Sequence, residues 1–243
     1  MKLLVVNPNT TASMTATIAA AARAVAARET EIVAVTSAMG PVSIEGFYDE
    51  AFAVPGVIHA IAEGETAGAQ AAIIACFDDT GLDAARTSAA IPVIGICEAA
   101  LVTAGQIAKR IGVVTTLARS VVPLEELVRR YGFAERARVT ACDVPVLALE
   151  DESSDARGKL EDEIGRAVAG GAEAIVLGCA GMADLAAELT LRFGLPVVDG
   201  VAAAVKQAEA LVALGLATSK RGAYASPSPK SYAGAMAPFA PRA

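Results

Sequence analysis

Three apolar segments of the chain recur in the same order a little over a hundred residues later. LLVVNP at 3–8 is echoed by IGVVTT at 111–116, an offset of 108. AQAAIIACFDD at 69–79 is echoed by AEAIVLGCAGM at 172–182, which aligns Cys76 with Cys179 at an offset of 103. IPVIGICEAAL at 91–101 is echoed by LPVVDGVAAAV at 195–205, an offset of 104. Each β-branched run is followed by an alanine-rich amphipathic stretch, the pattern of βα units around a parallel sheet. The expected fold is therefore α/β, with two pseudo-symmetric parallel-sheet halves and a cleft between them. The halves are residues 1–110 and 111–217, with the last helix of the second half free to return to the first. From Thr218 to the end, Ser, Pro, Gly and Ala dominate, and residues 218–243 read as an extended or partly disordered tail.

Strands are expected over Leu3–Val6, Glu31–Val35, Ala71–Ala75, Pro92–Gly95, Ile111–Thr115, Ala174–Leu177 and Pro196–Val198. Helices follow from Met14 through Val25, and over Glu98–Lys109, Pro123–Tyr131, Arg157–Ala169 and Val201–Leu214. Pro55 argues against one continuous helix from Asp49 to Glu63, because proline lacks a donor and its ring clashes with the preceding turn. Val139–Leu149 reads as irregular strand material and Glu150–Asp155 as an acidic loop.

With 243 residues and 54% hydrophobic composition the chain has ample material for a core. The mean hydropathy of +0.50 is inflated by alanine. No uninterrupted apolar run approaches the roughly 18 residues of a spanning helix, so no membrane partner is expected. MKLLVVNPNT reaches Asn-Pro-Asn too early for a secretory signal, and the expected location is cytoplasmic. The net charge of −7, with no basic stripe, argues against nucleic acid. Four widely spaced cysteines and one histidine supply neither a zinc motif nor a disulfide framework, and a Ser-His-Asp site would need His59. Neither a metal nor an organic cofactor is expected.

In open parallel sheets, ligands bind beyond the carboxyl ends of the strands, where Cys76 and Cys179 both fall. A helix following each would favour the thiolate and draw its pKa towards neutrality. Either cysteine alone is more simply a small buried hydrophobe, but two at matched positions point to chemistry. Halves facing across a pseudo-twofold axis would bring the sulfurs to one cleft from opposite sides. That suits inversion of a stereocentre beside a carbonyl, where a proton leaves one face and another arrives on the opposite face. Cys97 and Cys142 fit buried strand packing better, and His59 reads as a helix-surface residue without a role.

The segments VVNPNTT, GPVSIEG, IACFDDTGLDAAR, IGVVTT, PVLALE and IVLGCAGMADL, in this order, resemble the hydantoin and allantoin racemase branch of the aspartate/glutamate racemase superfamily. The resemblance extends from about Leu3 to Leu216. It implies a cofactor-free, two-base racemase with Cys76 and Cys179 as acid and base. Amino-acid racemases of the superfamily carry Asp-Ser-Gly, Cys-Asn-Thr and Cys-Thr-His motifs. This chain has Asn7-Pro8-Asn9, Cys76-Phe77-Asp78 and Cys179-Ala180-Gly181 instead. The difference favours a neutral cyclic substrate such as a 5-substituted hydantoin, with a homo-oligomer as the expected assembly.

Backbone donors around Phe77, Asp78, Ala180 and Gly181 are candidates to stabilise an enolate oxygen. Gly178 and Gly181 would permit close approach of the ring, and Asn9, Thr115 and Thr116 could bond its amide groups. Ile44 is a candidate for the substrate side of its loop, beside Glu45. Asn9 serves equally well as a helix cap, and Asp78 and Asp79 as caps of the helix that follows them. Other readings are a decarboxylase or cis–trans isomerase of the same superfamily, a dithiol redox protein and a non-catalytic binding module. A decarboxylase needs only one of the two cysteines, and a dithiol protein usually has a Cys-x-x-Cys spacing that this chain lacks.

Overall fold

Among the described residues, all pairings between the eight strands are parallel, and the strands divide into two four-stranded sheets with the same order. The computed structural model describes residues 1–146, 148 and 154–241. The first sheet has the order β2-β1-β3-β4, from β1 (Lys2–Asn7), β2 (Glu31–Thr36), β3 (Ala71–Ile74) and β4 (Val93–Gly95). The second has the order β6-β5-β7-β8, from β5 (Ile111–Thr115), β6 (Ala137–Ala141), β7 (Ala174–Leu177) and β8 (Val197–Asp199). Each echoed segment of the sequence thus occupies the equivalent strand of the other sheet. Central strands β3 and β7 are buried at every residue, as expected for parallel strands covered on both faces.

Among the described residues, eight α-helices cover these sheets: α1 (Ala12–Val25), α2 (Phe47–Thr66), α3 (Leu82–Ser88), α4 (Ile96–Ile107), α5 (Val121–Arg130), α6 (Ala156–Ala169), α7 (Ala186–Phe193) and α8 (Gly200–Ala213). The main core lies between the sheets and gathers residues of α1, α4, α5 and α8 with the inner strand faces, including Leu3, Val5, Ile18, Leu101, Val113, Leu124, Val176 and Val201. Smaller outer cores lie under α2 and α3 (Leu4, Val57, Ile61, Ile74) and under α6 and α7 (Leu160, Ile164, Ile175, Leu189). The last helix of each lobe packs across: α4 against β7 and β8, α8 against β3 and β4. At that crossing, a Cβ on Gly200 would sit 2.6 Å from the Ile96 carbonyl oxygen, so position 200 must be glycine.

Several local expectations need correction. Helix α2 is continuous through Pro55. The carbonyl that loses its partner belongs to exposed Ala51, on the solvent side of the helix, while Ala53, Gly56, Val57 and Ile61 bury the other face. Cys97 lies in the first turn of α4 rather than in a strand, and Cys142 just follows β6; both are buried. The irregular strand expected over Val139–Leu149 is β6 only as far as Ala141. Residues 147 and 149, and residues 150–153 of the expected acidic loop, lie outside the described residues. Residues 218–241 run along the first lobe. The Thr218 N–H donates to the Ala90 carbonyl at 2.9 Å, and Lys220 Nζ donates to the carbonyls of Arg86 and Thr87 at 2.7 and 3.0 Å. His59 lies on the exposed face of α2, 3.3 Å from Glu63.

Candidate active site

Cys76 and Cys179 stand two residues beyond the carboxyl ends of β3 and β7. The shared strand order brings both to one small cavity of ≈ 40 Å³ between the lobes. Of the residues singled out from sequence, Asn9, Ile44, Phe77, Asp78, Thr115, Thr116, Gly178 and Ala180 line it with them. Gly181 is not among the lining residues; its N–H faces the Cys179 sulfur. Sequence reasoning missed Met14, Ala75, Ser120 and Val146. Met14 was visible only as part of a helix stripe, and nothing in the local sequence marks Ser120.

A much larger concavity, ≈ 1020 Å³, runs along β6 between α5 and α6. No cysteine or histidine lines it, so size alone does not locate the chemistry.

The polar groups are held by hydrogen bonds, some within one turn and one between strands. Asn9 Oδ1 accepts from Asn7 Nδ2 and from the Thr11 N–H, each at 2.9 Å, and Asn9 Nδ2 approaches Met14 Sδ at 3.3 Å. Asn9 therefore braces the turn before α1, whose N-cap is Thr11, and turns into the cavity as well. Thr115 Oγ1 donates to the Gly178 carbonyl at 3.1 Å, tying β5 to the residue before Cys179. Gly178 has no room for a side chain: a Cβ would lie 2.9 Å from the Val114 carbonyl oxygen and 3.0 Å from Thr115 Cα.

Asp79 does not cap the helix that follows it. Its Oδ1 accepts from the Cys97 N–H at 2.9 Å and its Oδ2 from the Glu98 N–H at 3.0 Å, which caps α4. In the other lobe Asp199, at the N-cap of α8, does the same for Val201 and Ala202. Position 95 is equivalent to 199 but is glycine, and the Asp79 carboxyl carbon lies 2.3 Å from where its Cβ would be. Asp79 thus supplies the missing side chain from the Cys76 turn, at the cost of a left-handed backbone with φ of 46°.

The expectation of acidified thiols is reversed. Burial pushes the Cys76 thiol well above its ordinary range, and the nearby Asp78 carboxylate adds to this. Burial pushes Cys179 up to about 12. The helix after Cys76 begins only at Leu82 and has seven residues, and Cys179 is followed by a 3₁₀ segment, Ala180–Leu185. Neither provides a sustained helix dipole, so desolvation wins. The Asp78 N–H favours the Cys76 thiolate and the Gly181 N–H that of Cys179, so these two donors face sulfur. Burial, then Glu50 and Asp79, raise the Asp78 carboxyl to about 7.

This duplicated α/β architecture, with a cysteine beyond the equivalent strand of each half, is the fold of the Asp/Glu racemase-like proteins. The family model for Asp/Glu/hydantoin racemases matches residues 3–208, and the chain belongs to that family. It is an isomerase of the racemase class. The chain is 51% identical to a hydantoin racemase of Rhizobium meliloti over 236 residues, covering 96% of this chain and 98% of that one. It is 46% identical to a hydantoin racemase of Pseudomonas sp. (strain NS671), covering 98% and 97% of the two chains. Among solved structures, an allantoin racemase from Klebsiella pneumoniae superposes with a TM-score of 0.96 at 49% identity, covering both chains completely.

Proposed function

We propose that this racemase inverts C5 of 5-monosubstituted hydantoins by proton transfer between Cys76 and Cys179. The observation that carries the reading is the pair of cysteines at equivalent positions of the two lobes, lining one cavity. In the working form one sulfur is a thiolate and the other a thiol. The thiolate takes the C5 proton, and the C–H electron pair moves into the ring as an enolate. The opposite thiol then delivers its proton to the other face, and the two sulfurs have exchanged roles. All atoms and charges balance without a further reactant. Asn9, Phe77, Asp78, Thr115, Thr116, Gly178, Ala180 and Gly181 form the proposed cradle of the ring, with Ile44 over it. The cavity is far below the ~300 Å³ of a typical ligand pocket, so the ring enters only when a wall moves. Ile44 sits between Gly40 and Gly46, whose φ values are 127° and 145°.

Allantoin, a hydantoin with a ureido group at C5, is the second reading, favoured by the likeness to the Klebsiella pneumoniae enzyme. A homo-oligomer in the cytoplasm completes the proposal; two working thiols require a reducing compartment. Polarimetry on enantiopure hydantoins with ureido, aliphatic and aromatic C5 groups selects among substrates. Deuterium exchange tests the mechanism. Cys76→Ala and Cys179→Ala should each lose racemisation by orders of magnitude, while each retains exchange at C5 of one enantiomer, a different one in each case. Racemisation at the intact rate by either variant would overturn the two-cysteine reading, as would exchange of the same enantiomer by both.

A further inference from the structure

Thr80 lies in the turn between Cys76 and α3, is wholly buried, and its Oγ1 has no hydrogen-bond partner in the protein. A buried hydroxyl in that state destabilises the fold. The other buried unpartnered side-chain atoms among the described residues belong to Arg136 and Thr140, both on the large concavity along β6. The Thr80 hydroxyl is distinguished by its place in the turn that follows Cys76, where it favours the thiolate of that residue. The equivalent position of the second lobe is Ala183, which has no hydroxyl to offer Cys179.

We infer that Thr80 is a positioning residue whose hydroxyl donates a hydrogen bond to Cys76 while that sulfur is a thiolate, leaving Cys179 without a counterpart. The inference rests on the two-cysteine reading of the site. When Cys76 is a neutral thiol, the hydroxyl faces a poor acceptor and stays unpaired. When Cys76 gives up its proton, the same hydroxyl meets a full negative charge, and a charge-assisted bond forms. The stability lost in the resting state is recovered in the reactive one. Thr80 acts together with the Asp78 N–H and against the charges that disfavour the thiolate. Those are the Asp78 carboxyl on the same turn and Cys179 from the second lobe, with Cys97 on α4 also coupled to the sulfur. The arrangement makes the two proton carriers unequal in an otherwise symmetric site.

Thr80→Val keeps the shape of the side chain and removes only the donor; Thr80→Ser restores it. The test follows alkylation of Cys76 and Cys179 by iodoacetamide across a pH series, read peptide by peptide by mass spectrometry, with racemisation kinetics and thermal melting on the same proteins. In Thr80→Val the Cys76 profile should move up by about one pH unit, a tenfold loss of thiolate at a given pH. The Cys179 profile should stay in place. Racemisation kcat should fall about tenfold with KM little changed, and the melting temperature should hold or rise, since an unpaired buried hydroxyl has gone. Thr80→Ser should return both the Cys76 profile and kcat towards the parent. An unmoved Cys76 profile, equal movement of both cysteines, or a serine variant resembling valine would overturn the inference. The parent reading fails separately: if Cys76→Ala racemises at the intact rate, Cys76 is not a proton carrier at all. If Cys76→Ala is inactive while Thr80→Val matches the parent in every readout, only the role of Thr80 is lost.

Discussion

The Tyr131 hydroxyl, at the end of α5 in the second lobe, donates a 2.7 Å hydrogen bond to Asp79, three residues beyond Cys76 in the first. Asp79 already accepts the N–H groups of Cys97 and Glu98, so one carboxyl joins the cysteine turn, α4 and the opposite lobe. Tyr131→Phe removes one of the three bonds and keeps the ring. The expected loss is about 1–3 kcal/mol, measured by urea unfolding. Gly95→Ala should cost more, because its Cβ would meet a carboxyl that three donors hold in place. Parent-like stability in both variants would show that Asp79 is not the tie.

Asp78 gives a pH signature. Its carboxyl stands at about 7 in the fold against 3.8 for the free group. The folded protein therefore keeps a proton that the unfolded chain has released. The stability this proton supplies is complete below about pH 4 and is lost as pH rises through about 7. Asp78→Asn should flatten that decline in a series of melting curves, only partly, since Asp79 is also raised to about 7. The same substitution removes a charge that disfavours both thiolates, so the rise of racemisation rate with pH should move to lower pH. Movement of that limb to higher pH would contradict the electrostatic account.

Gly178 joins β7 to Cys179, and its missing Cβ is needed by the backbone of β5. Gly178→Ala forces strand backbone apart rather than a flexible side chain. About 1–3 kcal/mol of stability should be lost, together with a larger fall in kcat, because the displaced residue precedes the sulfur directly. Melting curves and steady-state kinetics check both; full activity at unchanged stability would refute the contact.

Exhaustive chelation should leave racemisation intact, because the proposed proton carriers are both side chains of the chain itself. Among the described residues, no group of three or more His, Cys, Asp and Glu could hold a metal ion. Loss of activity on chelation, restored by a divalent ion, would require a different mechanism.

The strands were legible in the sequence because a buried parallel strand leaves a short, uninterrupted β-branched run, as at Ala71–Ile74 and Ala174–Leu177. Duplication made the two cysteines legible as well, since matching positions in matching strands carry more information than either residue alone. Local rules misjudged Pro55, where tertiary packing of α2 outweighs one lost hydrogen bond. They also misjudged Cys76 and Cys179, since burial is a property of everything around a sulfur rather than of its neighbours in the chain.

The pattern of residues by itself determined the α/β class, the repeated halves and the two sulfurs at equivalent strand ends, because each follows from periodicity and spacing along one chain. Tertiary structure decided what surrounds those sulfurs. Asp79 caps α4 because Gly95 leaves a side-chain-sized gap there, and Tyr131 reaches it from 52 residues away. Met14, Ser120 and Val146 arrive at the cavity from separate segments of the chain. The thiols are raised because packing from both lobes desolvates them, and desolvation acts only once the chain has folded.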